Sequence, residues 1–273
     1  KSYRPSLKQF VPRFLEFVQH LYKQLEATKN AIFPEPRNIG NQPPGSLLPS
    51  ATSSASIHVA PSATKTSNSS ASSPSGSSTS KPLMRSTCSF KVLTECPLIV
   101  MLLFQLYGEY VGKYVEAFIS LMTSGLRLTA PSLAVRVSLE AKTRFSEMVA
   151  CQVKTLSFLT YLIKGFKEIM IPHQETIASS VVMLLKRCPN ESVSTRKELL
   201  VATRHILASD FRLEFFKHVD TLLREDVLIG NGRQAQAVLR PLAYSTVADL
   251  VHHVRSKLGL DQISRIIYIF SRN

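Results

Sequence analysis

The sequence predicts an all-α fold, an α-solenoid of antiparallel helix pairs interrupted by one disordered insertion. Three observations lead there. Apolar residues outside residues 34–86 recur with helical period. No sustained period-two alternation bounded by turn residues is found, which argues against strands. Helix onsets recur at intervals of roughly 40–46 residues, with second helices of successive pairs expected near residues 112, 152, 195 and 241.

The elements follow in order. Residues 1–33 form a helical repeat segment in which Phe10, Phe14, Phe17, Val18, Leu21 and Leu25 fall on one stripe that needs a partner surface. Residues 34–86 change composition. Of the 35 residues from Ser46 to Ser80, 15 are Ser and 4 are Thr, too little apolar area to offset the entropy of ordering. This insertion is expected to be disordered. Its Ser73-Pro74 dipeptide fits a proline-directed phosphorylation site, although serine-rich linkers produce such dipeptides by chance. Residues 87–273 then carry the remaining repeats, in "LIVMLLFQLY", "YVEAFISLM", the span Leu133–Ile163, "TIASSVVMLLKRC", "TRKELLVATRHILA", "FRLEFFKHVDTLLRE", "LAYSTVADLVHHVRSKL" and "DQISRIIYIF". Pro97, Pro131, Pro172 and Pro241 are expected at helix boundaries. Thr195 and Glu198 have capping-box spacing. The spacing of onsets matches the ~40–47 residues of HEAT or armadillo units, so the solenoid is expected to be HEAT-like.

Composition narrows the function classes. The net charge is +14, but the four successive segments 1–28, 29–89, 90–191 and 192–273 carry +3, +4, +3 and +4. No dense basic block appears, so direct sequence-specific nucleic-acid binding is not expected. The longest apolar run, Pro97–Phe104, is about half the ~20 residues a membrane-spanning helix needs. Cysteines at 88, 96, 151 and 188 lack metal-ligand spacing and read as free thiols. The first residue is Lys1 and the final apolar pattern stops abruptly, from which a longer polypeptide is expected.

No catalytic, cofactor-binding or metal-binding residue is expected. "GNG" at Gly230–Gly232 lacks the third glycine and the preceding strand of a phosphate loop, and reads as a turn. "DFR" at Asp210–Arg212 lacks the glycine of the kinase magnesium motif. Lys154 reads as a surface lysine. The stretch "LRPLAYSTVADLVHHVR", Leu239–Arg255, holds two adjacent histidines and an aspartate. With a helix starting at Pro241, Val247, Leu250, Val251, Val254 and Leu258 form the apolar stripe, and His252 lies with Asp249 on the opposite face. Neighbouring helical residues point about 100° apart, so His252 and His253 cannot share a metal on a regular helix. Asp249 is placed to accept from one of the two histidines. Arg240, Asp249, His252 and Arg255 are therefore the candidates for fixing one repeat against the next.

Four runs carry a resemblance: "QVKTLSFLTYLI" (Gln152–Ile163), "RKELLVATRHIL" (Arg196–Leu207), "VLIG" (Val227–Gly230) and the 17-residue "LRPLAYSTVADLVHHVR". They resemble the helical-repeat region of the transformation/transcription domain-associated protein family. That family consists of large relatives of the phosphatidylinositol-3-kinase-related kinases, with a long α-solenoid and a kinase-like domain lacking catalytic residues. The resemblance implies a non-catalytic scaffold in nuclear histone acetyltransferase complexes of the SAGA and NuA4 types, with other complex subunits and transcriptional activators as partners, no membrane association and no cofactor. A helical-repeat nuclear transport receptor or another α-solenoid adaptor is the alternative with the same architecture.

Overall fold

The structure is a computed structural model that describes residues 8–34 and 89–272. The expected Ser/Pro-rich insertion lies almost wholly outside the described residues. Among those described, the regular structure is helical and contains no strand. We label the longer helices α1 (Val11–Lys23), α2 (Leu25–Ile32), α3 (Phe90–Leu106), α4 (Val115–Leu126), α5 (Leu139–Gly165), α6 (Gln174–Arg187), α7 (Val193–Leu207), α8 (Arg233–Val254) and α9 (Leu260–Ser271).

Consecutive helices alternate between two rows, as a helical solenoid requires. One row packs α3 on α5, α5 on α7 and α7 on α8. Lys91 meets Glu147 at 3.3 Å near the start of this row's first pair, and the Phe104 and Phe158 rings meet edge-on at 5.8 Å near its end, so α3 and α5 run the same way. The other row packs α1 on α4, α4 on α6, and α6 on the 3-10 segment Asp210–His218. That segment continues into the short helix Val219–Leu222, where Asp220 accepts from Arg265 of α9 at 3.0 Å.

The core runs continuously between the rows. At its centre lies α5, whose Val149, Leu156, Leu159 and Leu162 are fully enclosed. Burying each such side chain stabilises the fold by about 1.5–3 kcal/mol. Phe104 also sets its ring edge-on to Phe118 and Phe166, and Tyr22 of α1 shares a hydrogen bond of 2.7 Å with Thr155 of α5. Residues 8–33 are thereby joined to the repeats that follow the insertion.

Three local expectations are corrected. Of the four onsets expected for second helices, the one near 112 falls in the second row, as α4. The one near 195 matches the start of α7, whereas those near 152 and 241 fall inside α5 and α8, which begin at Leu139 and Arg233; α5, α7 and α8 all stand in the first row. Periodicity locates a helix but carries no information about which row it joins. Pro131 and Pro172 do lie at boundaries, whereas Pro97 and Pro241 lie inside α3 and α8. An interior proline costs about 3 kcal/mol, and packing of α3 on α5 and α8 on α7 outweighs it. Ala237, whose carbonyl loses its donor at Pro241, is on an exposed face within reach of water. Finally, α7 begins at Val193 with Ser192 as its cap, and no side-chain cap bond forms. Glu198 instead pairs with Lys154 at 2.9 Å and accepts from Ser157 at 3.3 Å, tying α7 to α5.

Candidate functional site: the repeat junctions and a basic cleft

The most unusual group in the molecule is a guanidinium enclosed among carbonyls. Arg196 sits in the first turn of α7 on the same stripe as Leu199, Leu200 and Thr203, and only 2% of its surface is exposed. Its Nη1 donates to Val227 O at 2.6 Å and Leu185 O at 3.1 Å, and its Nη2 donates to Cys188 O at 2.7 Å. These carbonyls need an outside donor. The residue four positions after Leu185 is Pro189, which has no N–H, so the end of α6 leaves that carbonyl orphaned. The N–H of Asn231, four positions after Val227, is engaged with Asn190 Oδ1 at 3.2 Å. Arg196 thus joins the end of α6 and the turn after the short helix Glu225–Leu228 to the start of α7. Burial lowers the pKa of this guanidinium, and no carboxylate takes part.

Backbone geometry makes room for it. Gly230 adopts φ +85, and a Cβ there would lie 2.8 Å from Asn190 Oδ1 and 3.3 Å from Arg196 Nε. "VLIG", one of the runs carrying the family resemblance, is therefore the turn that wraps this guanidinium. The "GNG" turn expectation agrees with the coil there.

One repeat earlier, an amide does the same work. Gln152 of α5 is buried and its Nε2 donates to the carbonyls of Gly125, Leu126 and Leu128, at 3.0, 3.2 and 2.9 Å, closing the end of α4. In both junctions a first-row helix supplies a buried polar side chain to the carbonyl end of the preceding second-row helix. Neither Arg196 nor Gln152 was singled out from the sequence. The available signal was a polar residue at a position where the apolar stripe requires a hydrophobic one.

The residues singled out in advance are distributed differently. Asp249 accepts from Arg204 Nε of α7 at 2.6 Å, with about 40% and 38% of the two side chains exposed. Its partner is thus an arginine of the neighbouring helix and not the adjacent histidines. The pair lies beside an open cleft of about 430 Å³ that also includes Val201, His205 and His253. His252 is exposed, with its ring edge-on to His253 at 5.1 Å. Burial and the nearby charges of Arg212 and His252 hold His253 below the ordinary imidazole value. Arg240 is half-buried within α8, not at its start, and Arg255 is exposed in the 3-10 turn Arg255–Lys257 that follows the helix. The structure brings Asp249 to the junction but does not gather the four residues into one cluster.

The thiols are enclosed. Burial pushes Cys151 up to about 12, and Cys96 and Cys188 up to about 11, even though the positive charge of Arg196 acts on Cys188 in the opposite sense. Among the described residues there is no cluster of three His, Cys, Asp or Glu side chains able to hold a metal, and no helix long and apolar enough to cross a membrane.

Charge that is even along the sequence becomes uneven in space. Lys29 of α2, Arg136 of the short helix Ser132–Arg136, and Lys186 and Arg187 of α6 line one cleft of about 630 Å³. A second cleft shares its Arg136 and Lys186 and adds Lys142 and the Arg224–Asp226 pair.

Comparison with known proteins places this geometry. The family model for the Tra1 HEAT repeat central region matches residues 144–273. The chain is 36% identical over 275 residues to a human "Transformation/transcription domain-associated protein", covering all of this chain and 7% of that relative. It is 32% identical over 285 residues to the fission yeast (Schizosaccharomyces pombe) "SAGA complex/NuA4 acetyltransferase complex subunit Tra1", covering 99% of this chain and 7% of that relative. To a Dictyostelium discoideum "Probable transcription-associated protein 1" it is 40% identical over 191 residues, 70% of this chain and 4% of the relative. The chain therefore spans only a small part of the length of these relatives.

Proposed function

This chain belongs to the transformation/transcription domain-associated (Tra1) protein family, and from that premise we propose that it is a non-catalytic scaffold segment of a transcription coactivator subunit in histone acetyltransferase complexes of the SAGA and NuA4 type. It acts in the nucleus, supporting assembly of the other subunits and recruitment of activators. Its own residues perform no chemistry, bind no cofactor and make no sequence-specific contact with nucleic acid.

One observation carries this reading. The deeply buried polar groups Arg196 and Gln152 are spent on holding successive repeats together, where an enzyme would converge such groups on a cavity. Relatives named as subunits of the SAGA and NuA4 acetyltransferase complexes give the reading its complex. A solenoid of this kind offers broad ridges to partners, and its rigidity depends on every junction.

The test is purification of the intact protein from nuclear extract followed by mass spectrometry. Co-purification of acetyltransferase and deubiquitinase subunits is expected. Recovery of Ran and transport cargo in their place would replace the scaffold with a transport receptor. Calorimetric titration with magnesium-ATP is expected to show no binding to these repeats, and stoichiometric binding would overturn the non-catalytic part of the reading.

A further inference from the structure

The side chain of Lys29 is largely covered, while its ammonium reaches solvent. The residue retains 8% of its exposure, yet it has neither an ion pair nor a side-chain hydrogen bond among the described residues. Its methylene stem is covered by the packing of α2, and its ammonium opens into the cleft that Arg136, Lys186 and Arg187 also line. Those three cations are exposed and likewise have no carboxylate partner among the described residues. Among the described residues no Asp or Glu lines this cleft, although Thr129 and Ser132 add two hydroxyls and Val135, Pro131 and Phe145 supply apolar wall.

Four positive charges drawn from three elements line one cleft and repel one another. Gathering like charges without an acidic neighbour is costly, and the cost falls when an anion enters. A single carboxylate would neutralise one of the four. A phosphate monoester carries about −1.5 to −2 charges and three acceptor oxygens, which suits a cleft lined by several cationic donors. The apolar walls lower the local dielectric and strengthen each contact.

We propose that this cleft is a docking site for a phosphoserine- or phosphothreonine-bearing segment of a partner protein. The phosphate lies among Lys29, Arg136, Lys186 and Arg187, and a neighbouring side chain of the segment rests on Val135 and Phe145. A peptide is favoured over a nucleic-acid strand because the cleft is small and Glu191 and Asp226 stand in the adjoining cleft, where a continuous phosphate backbone would have to run. The proposal goes beyond complex membership, which is read separately by co-purification.

The experiment is fluorescence anisotropy on the intact protein, using a degenerate peptide pool with a fixed central phosphoserine and the same pool with serine. The phosphoserine pool should bind at least roughly tenfold more tightly than the serine pool. Lys186→Ala combined with Arg187→Ala, both exposed positions, should remove that preference without changing the melting temperature. Lys29→Met keeps the buried stem and should have the same effect on binding. Equal affinity for the two pools would overturn the proposal, as would full retention of phosphoserine binding in the double variant. A single-stranded oligonucleotide that displaced the phosphoserine pool and bound more tightly would overturn it in favour of a nucleic-acid surface.

Discussion

Replacing Arg196 by methionine removes the guanidinium while keeping an unbranched stem of similar reach on the core stripe. Four carbonyls then lose a donor, those of Val227, Cys188 and Leu185 at 2.6, 2.7 and 3.1 Å and, more weakly, that of Leu228 at 3.5 Å in the native fold. An unsatisfied buried polar group costs about 1–3 kcal/mol, so the gross loss approaches several kcal/mol. Part of it is returned, because a desolvated charge is no longer enclosed. We expect a net loss of about 2–4 kcal/mol. For a domain of this size that lowers the melting temperature by very roughly 5–15 °C. Arg196→Lys should recover little, since one ammonium cannot span carbonyls contributed by α6 and by the turn before α8. Thermal unfolding followed by circular dichroism measures the shift. A melting temperature for Arg196→Met within about 2 °C of the native protein would show that these bonds contribute almost nothing net and that the junction is held by apolar packing alone.

Other expectations follow from the same junctions. Gly230→Ala places a Cβ 2.8 Å from Asn190 Oδ1 at a backbone angle of +85, and should cost about 1–3 kcal/mol by the same melting assay. Asp249→Ala should cost only about 0.2–1 kcal/mol and the cost should shrink with added salt, because the Arg204–Asp249 pair is more than a third exposed. Leu250→Asp, at a position 2% exposed in the α7–α8 seam, should cost about 4 kcal/mol or more, enough to unfold the last repeats in denaturant titration. Cys96, Cys151 and Cys188, with thiols held at about 11 to 12, should resist alkylation at pH 8 until denaturant is added, and rapid native labelling would contradict their enclosure.

The architecture was legible because helical period survives in every segment that builds it. Of the stripe read from residues 1–33, Val18, Leu21 and Leu25 are buried, but Phe10 and Phe17 are exposed and Val11 and Leu15 face the core in their place, so the pattern had the helix right and part of its inward face wrong. Val247, Leu250 and Val254 bury the stripe read from the Leu239–Arg255 run. What stayed hidden depends on contacts between residues distant in sequence. Nothing near Pro241 reveals that α7 holds α8 continuous through it. Asp249 had local histidines as candidate donors, but it accepts instead from Arg204, 45 residues away. The cleft cations come from residues 29, 136, 186 and 187, so a charge count by segment averages them out. Arg196 and Gln152 could have been found. Each interrupts an apolar stripe, and a polar residue there implies a buried partner.

The central claim is that this segment contributes through its folded repeats and not through a reactive group. The most direct measurement is the yield of acetyltransferase subunits co-purifying with the intact protein when it carries Leu250→Asp, Arg196→Met, or the paired His252→Ala and Arg255→Ala substitutions. The account predicts that recovery falls for Leu250→Asp and Arg196→Met in step with their loss of melting temperature, and stays at the native level for the exposed pair. Loss of the complex in the His252→Ala and Arg255→Ala variant at unchanged melting temperature would contradict it.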